Sequence, residues 1–318
     1  MIKTKSKFPI WFMRQSGRYL PEYLNLRQKY SFIDILNQPE LIVYLTTLPL
    51  KYFDIDALII FSDISVPFSL MEGVEFDIVD SKGPIARINN YYNIKVNQTS
   101  QILENIKKAI QVIKKDYEKT LIGFTGGIYT TFQYLTSKNK ALLYKDNGLL
   151  FSIFEAIYRT IQIQIEAGVD VIQIFDTYLF DLSPLDIQFF VLPFYKILLN
   201  KIKQEYGVPI IFFCLKTIYI LDYTRELKID CLSVDWTKDI GFYFESFGGY
   251  IQGNFDPYIL TIEDKEDFEK ISQMSLIRIF QAIEEPNNLS RYIFNLGHGL
   301  LPNTKVDNLK RLIYFLRN

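Results

Sequence analysis

Four side chains in this 318-residue chain have the types and spacing to act on an anionic molecule. Arg14 and Arg18 stand one helical turn apart near the start, Asp63 follows Phe61-Ser62, and His298, the only histidine, lies between Gly297 and Gly299. Arginine forks bind carboxylates bidentately. A fixed carboxylate accepts N–H groups and stabilises a cation that develops on them. Glycines on both sides of a histidine let the backbone approach a ligand closely. Each feature also has a plainer reading. Arg14 and Arg18 fit a solvated helical face or internal ion pairs, Asp63 fits a helix cap, and His298 fits a structural histidine. Ser62 and Thr177 have no histidine nearby in sequence, so a nucleophilic triad has little support.

Elements that place these residues follow from the hydrophobic pattern. Short apolar runs recur at 10–13, 57–61, 121–124, 171–175, 210–214, 232–234, 250–252 and 292–294. They are continuous rather than alternating and rich in β-branched and aromatic residues, as parallel strands buried on both faces are. Helical stretches separate them: 39–52 opening on Pro-Glu, 100–117, 151–167 stopping at Gly168, 185–206 stopping at Gly207, 261–280 and 306–316. This alternation predicts an α/β fold with a parallel sheet and helical crossovers. A closed (β/α)8 barrel is the first choice and an open doubly wound sheet the second. Residues 72–97 break the rhythm, with Gly73, Gly83 and Pro84 between β-like pieces. They predict a hairpin above the barrel mouth, or an ordinary surface loop.

In a barrel, residues just past the C-terminal ends of the strands build the site. Those positions hold Arg14 and Arg18, Ser62-Asp63, Thr125-Gly126-Gly127, Asp176-Thr177, Lys216, Asp235-Trp236, Gly253-Asn254 and Asn295 with Gly297-His298-Gly299. Several carboxylates, two arginines and the histidine are expected to converge on one rim.

Composition narrows the classes. A formal net charge of −1 supplies no field to attract nucleic acid or an anionic membrane. No 18 apolar residues run together, which predicts no membrane span. The N-terminus lacks a signal-peptide core. Cys214 and Cys231 make no disulfide framework, which fits a reducing, cytoplasmic compartment. No linker or repeat divides the chain, and residues 1–318 are expected to form one domain.

The motifs resemble one family along essentially the whole chain. Pro9-Ile10-Trp11-Phe12-Met13-Arg14-Gln15-Ser16-Gly17-Arg18-Tyr19-Leu20-Pro21-Glu22-Tyr23 is similar to the N-terminal signature of uroporphyrinogen decarboxylases. Phe61-Ser62-Asp63-Ile64, Gly123-Phe124-Thr125-Gly126, Gln173-Ile174-Phe175-Asp176 with Leu182-Ser183-Pro184, Val234-Asp235-Trp236 and Gln252-Gly253-Asn254-Phe255-Asp256-Pro257 continue in the family's order. Phe294-Asn295-Leu296-Gly297-His298-Gly299 closes it.

The resemblance implies a single distorted (β/α)8 TIM barrel, homodimeric, with no metal or organic cofactor. It also implies conversion of uroporphyrinogen III to coproporphyrinogen III in haem biosynthesis. It places Arg14, Gln15, Ser16, Gly17 and Arg18 in the substrate-binding segment and makes Asp63 the carboxylate for the pyrrole N–H groups. Tyr134, Phe175, Thr177 and His298 are further substrate contacts, Thr177 standing where a serine is usual. Asp63 and Arg14 are the expected catalytic pair.

Two stretches depart from the family. Gly127-Ile128-Tyr129 replaces Ala-Pro-Trp, and Tyr178-Leu179-Phe180 replaces small residues, so a narrowed cleft is expected. The runner-up is a related barrel methyltransferase holding Zn2+ through His and Cys, for which His298 lies far along the chain from either cysteine. A non-catalytic tetrapyrrole-binding protein is the third reading.

Overall fold

The computed structural model describes residues 1–79, 83–92, 94–145 and 148–318. Among the described residues nine strands form: β1 Ala57–Ile59, β2 Val74–Val79, β3 Gly83–Ile88, β4 Thr120–Gly126, β5 Val171–Phe175, β6 Ile210–Phe213, β7 Cys231–Ser233, β8 Tyr250–Phe255 and β9 Tyr292–Leu296. Seven are parallel in the order β1-β4-β5-β6-β7-β8-β9, and β2-β3 is a separate antiparallel hairpin. The segment at Ile10 closes the ring. On one side Phe294 N–H donates to the Pro9 carbonyl at 2.8 Å and Trp11 N–H to the Phe294 carbonyl at 3.3 Å. On the other, Asp56 N–H donates to the Ile10 carbonyl at 2.8 Å. Seven strands and this segment make the eight staves of a distorted (β/α)8 barrel.

Along each stave, alternate residues face opposite ways. Trp11, Met13, Ala57, Ile122, Val171, Ile211, Cys231 and Ile293 fill the barrel interior. Their chain neighbours Leu58, Leu121, Ile172, Phe212, Leu232 and Phe294 pack outward in the larger core beneath the helices. Both faces are apolar, so the strands read as unbroken hydrophobic runs.

Several boundaries differ from expectation for local reasons. The first run pairs only at Ile10, because a turn follows at once: Gln15 N–H returns to the Phe12 carbonyl at 3.1 Å and Arg14 takes φ +59°. The stretch 39–52 stays α-helical over Pro39–Thr47 and tightens to a 3-10 turn at Leu48–Lys51, where Pro49 cannot donate. The stretch 185–206 is broken into a turn at Pro184–Asp186, a wide turn at Ile187–Val191 and a helix Leu192–Glu205 with Pro193 in its first turn. The stretch 261–280 begins later, at Lys265–Glu284, where the Asp264 side chain caps Asp267 N–H at 2.9 Å. Of the two readings of 72–97, β2 and β3 pair as the hairpin. No helix among the described residues is long and apolar enough to cross a membrane.

Candidate active site

A cavity of about 290 Å³ opens at the C-terminal mouth of the barrel. All ten residues expected at the site line it: Arg14, Gln15, Ser16, Gly17, Arg18, Asp63, Tyr134, Phe175, Thr177 and His298. Ile78 and Val79 of β2 and Gly83 and Pro84 of β3 also line it, so the hairpin does sit at the mouth.

Arg14 occupies the turn after the first stave. Its left-handed backbone costs an ordinary residue about 1–2 kcal/mol. The surface Arg14 exposes lies in the cavity, walled by protein, and burial lowers its pKa while Asp63 nearby opposes the fall. A Cβ at Gly299 would come within 2.5 Å of Arg14 Cδ, and one at Gly297 within 2.5 Å of the Trp236 amide. The glycines around His298 therefore answer close packing against Arg14 and Trp236, where the sequence suggested close approach of a ligand. Gln15 lines the cavity, but its side chain is already engaged. Its Oε1 accepts Phe12 N–H at 3.3 Å and its Nε2 donates to the Ala57 carbonyl at 3.2 Å. The Ser16 hydroxyl is buried without a partner among the described residues. Arg18 is exposed at the rim.

Asp63 is half-buried in the loop after β1. Its Oδ1 accepts Ser65 N–H at 2.9 Å and the Ser65 hydroxyl at 2.7 Å. Both readings of this residue thus hold: it caps its own loop through Oδ1, while no hydrogen bond to Oδ2 is found among the described residues. Burial raises its pKa, and the Ser65 hydrogen bonds and Arg14 only partly offset this. His298 lies 6.1 Å from Phe213, ring to ring, at a steep angle. Burial, with the charge of Arg14, pushes its pKa down to about 4, so the imidazole is neutral near pH 7. Tyr134 ends the helix Ile128–Leu135, its hydroxyl 3.5 Å from that of Tyr178. Phe175 meets Phe124 at 5.5 Å and Phe213 at 5.9 Å, forming an aromatic wall. Phe124 and Phe213 line the cavity as well and were not singled out in the sequence; their inward positions on strands that end at the mouth were the available signal.

The other strand-end groups do not join the site. Asp176 is fully buried and serves as a cap. It accepts Tyr129 N–H at 3.1 Å, Thr130 N–H at 2.7 Å and the Tyr195 hydroxyl at 2.6 Å. A Cβ at Gly127 would lie 2.3 Å from Asp176 Cβ, so glycine is needed for this approach. The cap holds the helix that carries Tyr134. Asp235 is likewise buried, accepting Thr237 N–H at 3.2 Å and its hydroxyl at 2.8 Å, and also Lys216 N–H. Asn254 donates to the Lys238 carbonyl at 2.7 Å. The expected convergence thus reduces to one carboxylate, two arginines and the histidine. The expected narrowing is not seen either. Ile128 and Tyr129 are fully buried in packing, and none of Tyr178, Leu179 and Phe180 lines the cavity.

A barrel whose mouth holds two arginines, a carboxylate and a neutral histidine beside aromatic walls has the form of an enzyme site at the place where barrels build them. Comparison with known proteins names the family. The sequence model of uroporphyrinogen decarboxylase (URO-D) matches residues 3–318. The uroporphyrinogen decarboxylase of Thermodesulfovibrio yellowstonii is 35% identical, with 97% of this chain and 93% of the relative aligned. Those of Staphylococcus haemolyticus and Aquifex aeolicus are 33% and 31% identical, each covering 98% of this chain and 94% of the relative. The chain belongs to the uroporphyrinogen decarboxylase family. Among solved structures, a methyltransferase from Methanosarcina mazei superposes with a TM-score of 0.76 at 18% identity, covering 99% of this chain and 94% of its own. At that identity it shows the shared barrel alone.

Proposed function

We propose that the chain decarboxylates the four acetate arms of uroporphyrinogen III, giving coproporphyrinogen III and four CO2. Membership of the family supports the reaction class. The observation that carries the residue assignment is Asp63, a cavity carboxylate beside Arg14 whose Oδ2 has no hydrogen bond among the described residues.

A pyrrole acetate releases CO2 when the electrons of the breaking C–C bond have an acceptor. Protonation of the adjacent ring carbon makes the pyrrole an iminium-like cation. The C–C bond then breaks, its electron pair neutralises the ring, and CO2 leaves. The exocyclic methylene takes up a proton to become methyl and the ring carbon gives its proton back, so each arm consumes one proton. Asp63 accepts the pyrrole N–H groups, and these hydrogen bonds strengthen as the ring becomes cationic. Two unit charges 4 Å apart at an effective dielectric near 20 attract by about 4 kcal/mol. Half of that, about 2 kcal/mol, is worth more than tenfold in rate. Arg14 holds the reacting arm and Arg18 a neighbouring carboxylate. Neutral His298 and the hydroxyls of Tyr134 and Thr177 direct the remaining polar contacts, and Phe175 packs against the macrocycle. Ser16 and Gly17, with Gln15, shape the loop that presents the arginines.

In the same reading residues 1–318 work as one domain in the cytoplasm on a small tetrapyrrole, without nucleic acid or membrane. Two such chains pair, and the exposed Leu185, Phe189 and Tyr219 supply apolar surface of the kind subunit contacts cover. The alternatives have lost their motives. The family's departures lie outside the cavity wall, and neither Cys214 nor Cys231 lines the cavity that His298 lines.

The test is anaerobic incubation of the purified protein with uroporphyrinogen III, followed by oxidation and separation of porphyrins by carboxyl number. Seven-, six-, five- and four-carboxyl species are expected. Unchanged eight-carboxyl substrate, bound by folded protein, would overturn the reading. Sedimentation of the same sample tests the pairing.

A further inference from the structure

The left-handed turn at Arg14 is held from beneath by buried amides that the reaction chemistry does not touch. Asn295 on β9, fully buried, accepts Met13 N–H on Oδ1 at 3.1 Å and Leu296 N–H at 2.8 Å. Gln252 on β8 accepts the Trp11 indole N–H at 2.9 Å and donates to Ser233 Oγ at 2.9 Å and to Gln173 Oε1 at 3.3 Å. Gln173 on β5 reaches the sulfur of Met13 at 3.6 Å. From the opposite side Leu300 N–H donates to the Met13 carbonyl at 2.9 Å. Residues leading into Arg14 are therefore tied to three separate staves.

The neighbouring interior positions are the apolar Ile122, Val171, Ile211 and Ile293. Asn295 even carries a cost, since its Nδ2 is buried with no partner among the described residues. A buried polar atom left unpaired destabilises, and an apolar residue of like size would avoid it. What the amide supplies in return is one acceptor at the Met13 amide, directly before the strained residue.

We propose that Asn295 is a positioning residue: its Oδ1, backed by the Gln252–Gln173 pair, fixes the Met13–Arg14 turn so that the guanidinium faces Asp63 across the cavity. This rests on the reading of Arg14 as a substrate-binding and catalytic residue. Misplacing a reacting group by about 1 Å can cost on the order of a hundredfold.

The experiment is a double-mutant cycle on the whole protein, reading kcat, KM and the melting temperature with uroporphyrinogen III. Asn295→Leu is expected to lower kcat/KM by about 10- to 100-fold and, by leaving the Met13 and Leu296 N–H groups without their acceptor, to lower the melting temperature as well. Asn295→Asp keeps an oxygen at the Oδ1 position and is expected to restore activity to within about threefold of wild type. In an Arg14→Gln background, which alone is strongly impaired, Asn295→Leu is expected to cost nothing further. Equal losses in the two backgrounds, or full activity of Asn295→Leu alone, would overturn the positioning role and leave Arg14 in place. Full activity of Arg14→Gln would instead remove the role of Arg14 and this proposal with it. If the leucine variant does not fold, Asn295→Ser, whose hydroxyl falls short of Met13, replaces it with the same two expectations.

Discussion

The two ends of the barrel use aspartate in opposite ways. At the bottom, Asp56, Asp170 and Asp230 each stand one residue ahead of a strand, β1, β5 and β7. Each accepts a backbone N–H from the neighbouring stave, from Ile10 at 2.8 Å, Leu121 at 2.8 Å and Ile210 at 2.7 Å. Each also meets a cation: Arg317 at 2.9 Å, Lys114 at 2.7 Å and Lys203. At the mouth, the hydrogen bonds to Asp63 found among the described residues come from Ser65 of its own loop, and the cation that acts on it is the strained Arg14. Satisfied carboxylates hold staves together; an incompletely satisfied one is available to a ligand. Asp176 shows that being at the mouth is not enough, for its acceptors are already engaged by Tyr129, Thr130 and Tyr195.

The sharpest way to break this contrast is to exchange the outcomes. Asp63→Asn is expected to lose more than about a hundredfold in kcat. Its melting temperature should hold or rise, because the raised pKa of Asp63 marks a charge carried at a cost to the fold. Porphyrin analysis beside a thermal melt checks both, and near-normal turnover would remove Asp63 from the chemistry. Asp170→Ala is expected to do the reverse. It leaves the buried Leu121 N–H without its acceptor and costs about 1–3 kcal/mol in urea denaturation, with kcat unchanged. An inactive but equally stable Asp170→Ala would erase the division between the two ends.

A smaller effect concerns pH. The folded pKa of His298, about 4, lies below the ordinary value near 6.5. The unfolded chain therefore takes up a proton first as pH falls, and stability is lost between about pH 6.5 and 4. Because solvent reaches the ring through the cavity, about 1–2 kcal/mol of the loss is assigned to it. Stability curves of wild type and His298→Gln should converge on acidification by that amount; parallel curves would mean that His298 is not desolvated. The smallest effect is expected from Tyr178→Phe, which deletes a hydroxyl 3.5 Å from Tyr134 and outside the cavity wall. A change in kcat/KM below about threefold is expected. A large one would restore the idea that the Tyr178-Leu179-Phe180 stretch shapes the cleft.

Much of the molecule was legible in the chain. The eight apolar runs are the eight staves, because a strand buried on both faces must be hydrophobic throughout. Inward parity was not used: Asp176 and Thr177 were expected together at the rim, whereas Phe175 and Thr177 line the cavity and Asp176 between them is buried away from it. Helix ends were less legible. The Asp264 cap starts one helix about a turn late, at Lys265, and Pro193 follows a wide turn inside the stretch 184–205 whose ends were expected, since a local breaker competes with a period that continues past it.

The sequence by itself determined the barrel and the set of groups able to reach its mouth, because periodicity and residue type are properties of the chain. Only the tertiary structure decided which of those groups remain available. Asp63, Asp176 and Asp235 are alike as strand-end aspartates, yet Asp176 meets Tyr129, Thr130 and Tyr195, and Asp235, beyond a contact with Thr237 of its own loop, meets Lys216 N–H, partners brought from elsewhere in the fold. The same holds for the glycines about His298, whose reason lies in Arg14 and Trp236, distant in sequence and packed against them in space. Hydrogen-bond capacity is written in a residue's type, but its expenditure depends on partners that meet only when the ring closes.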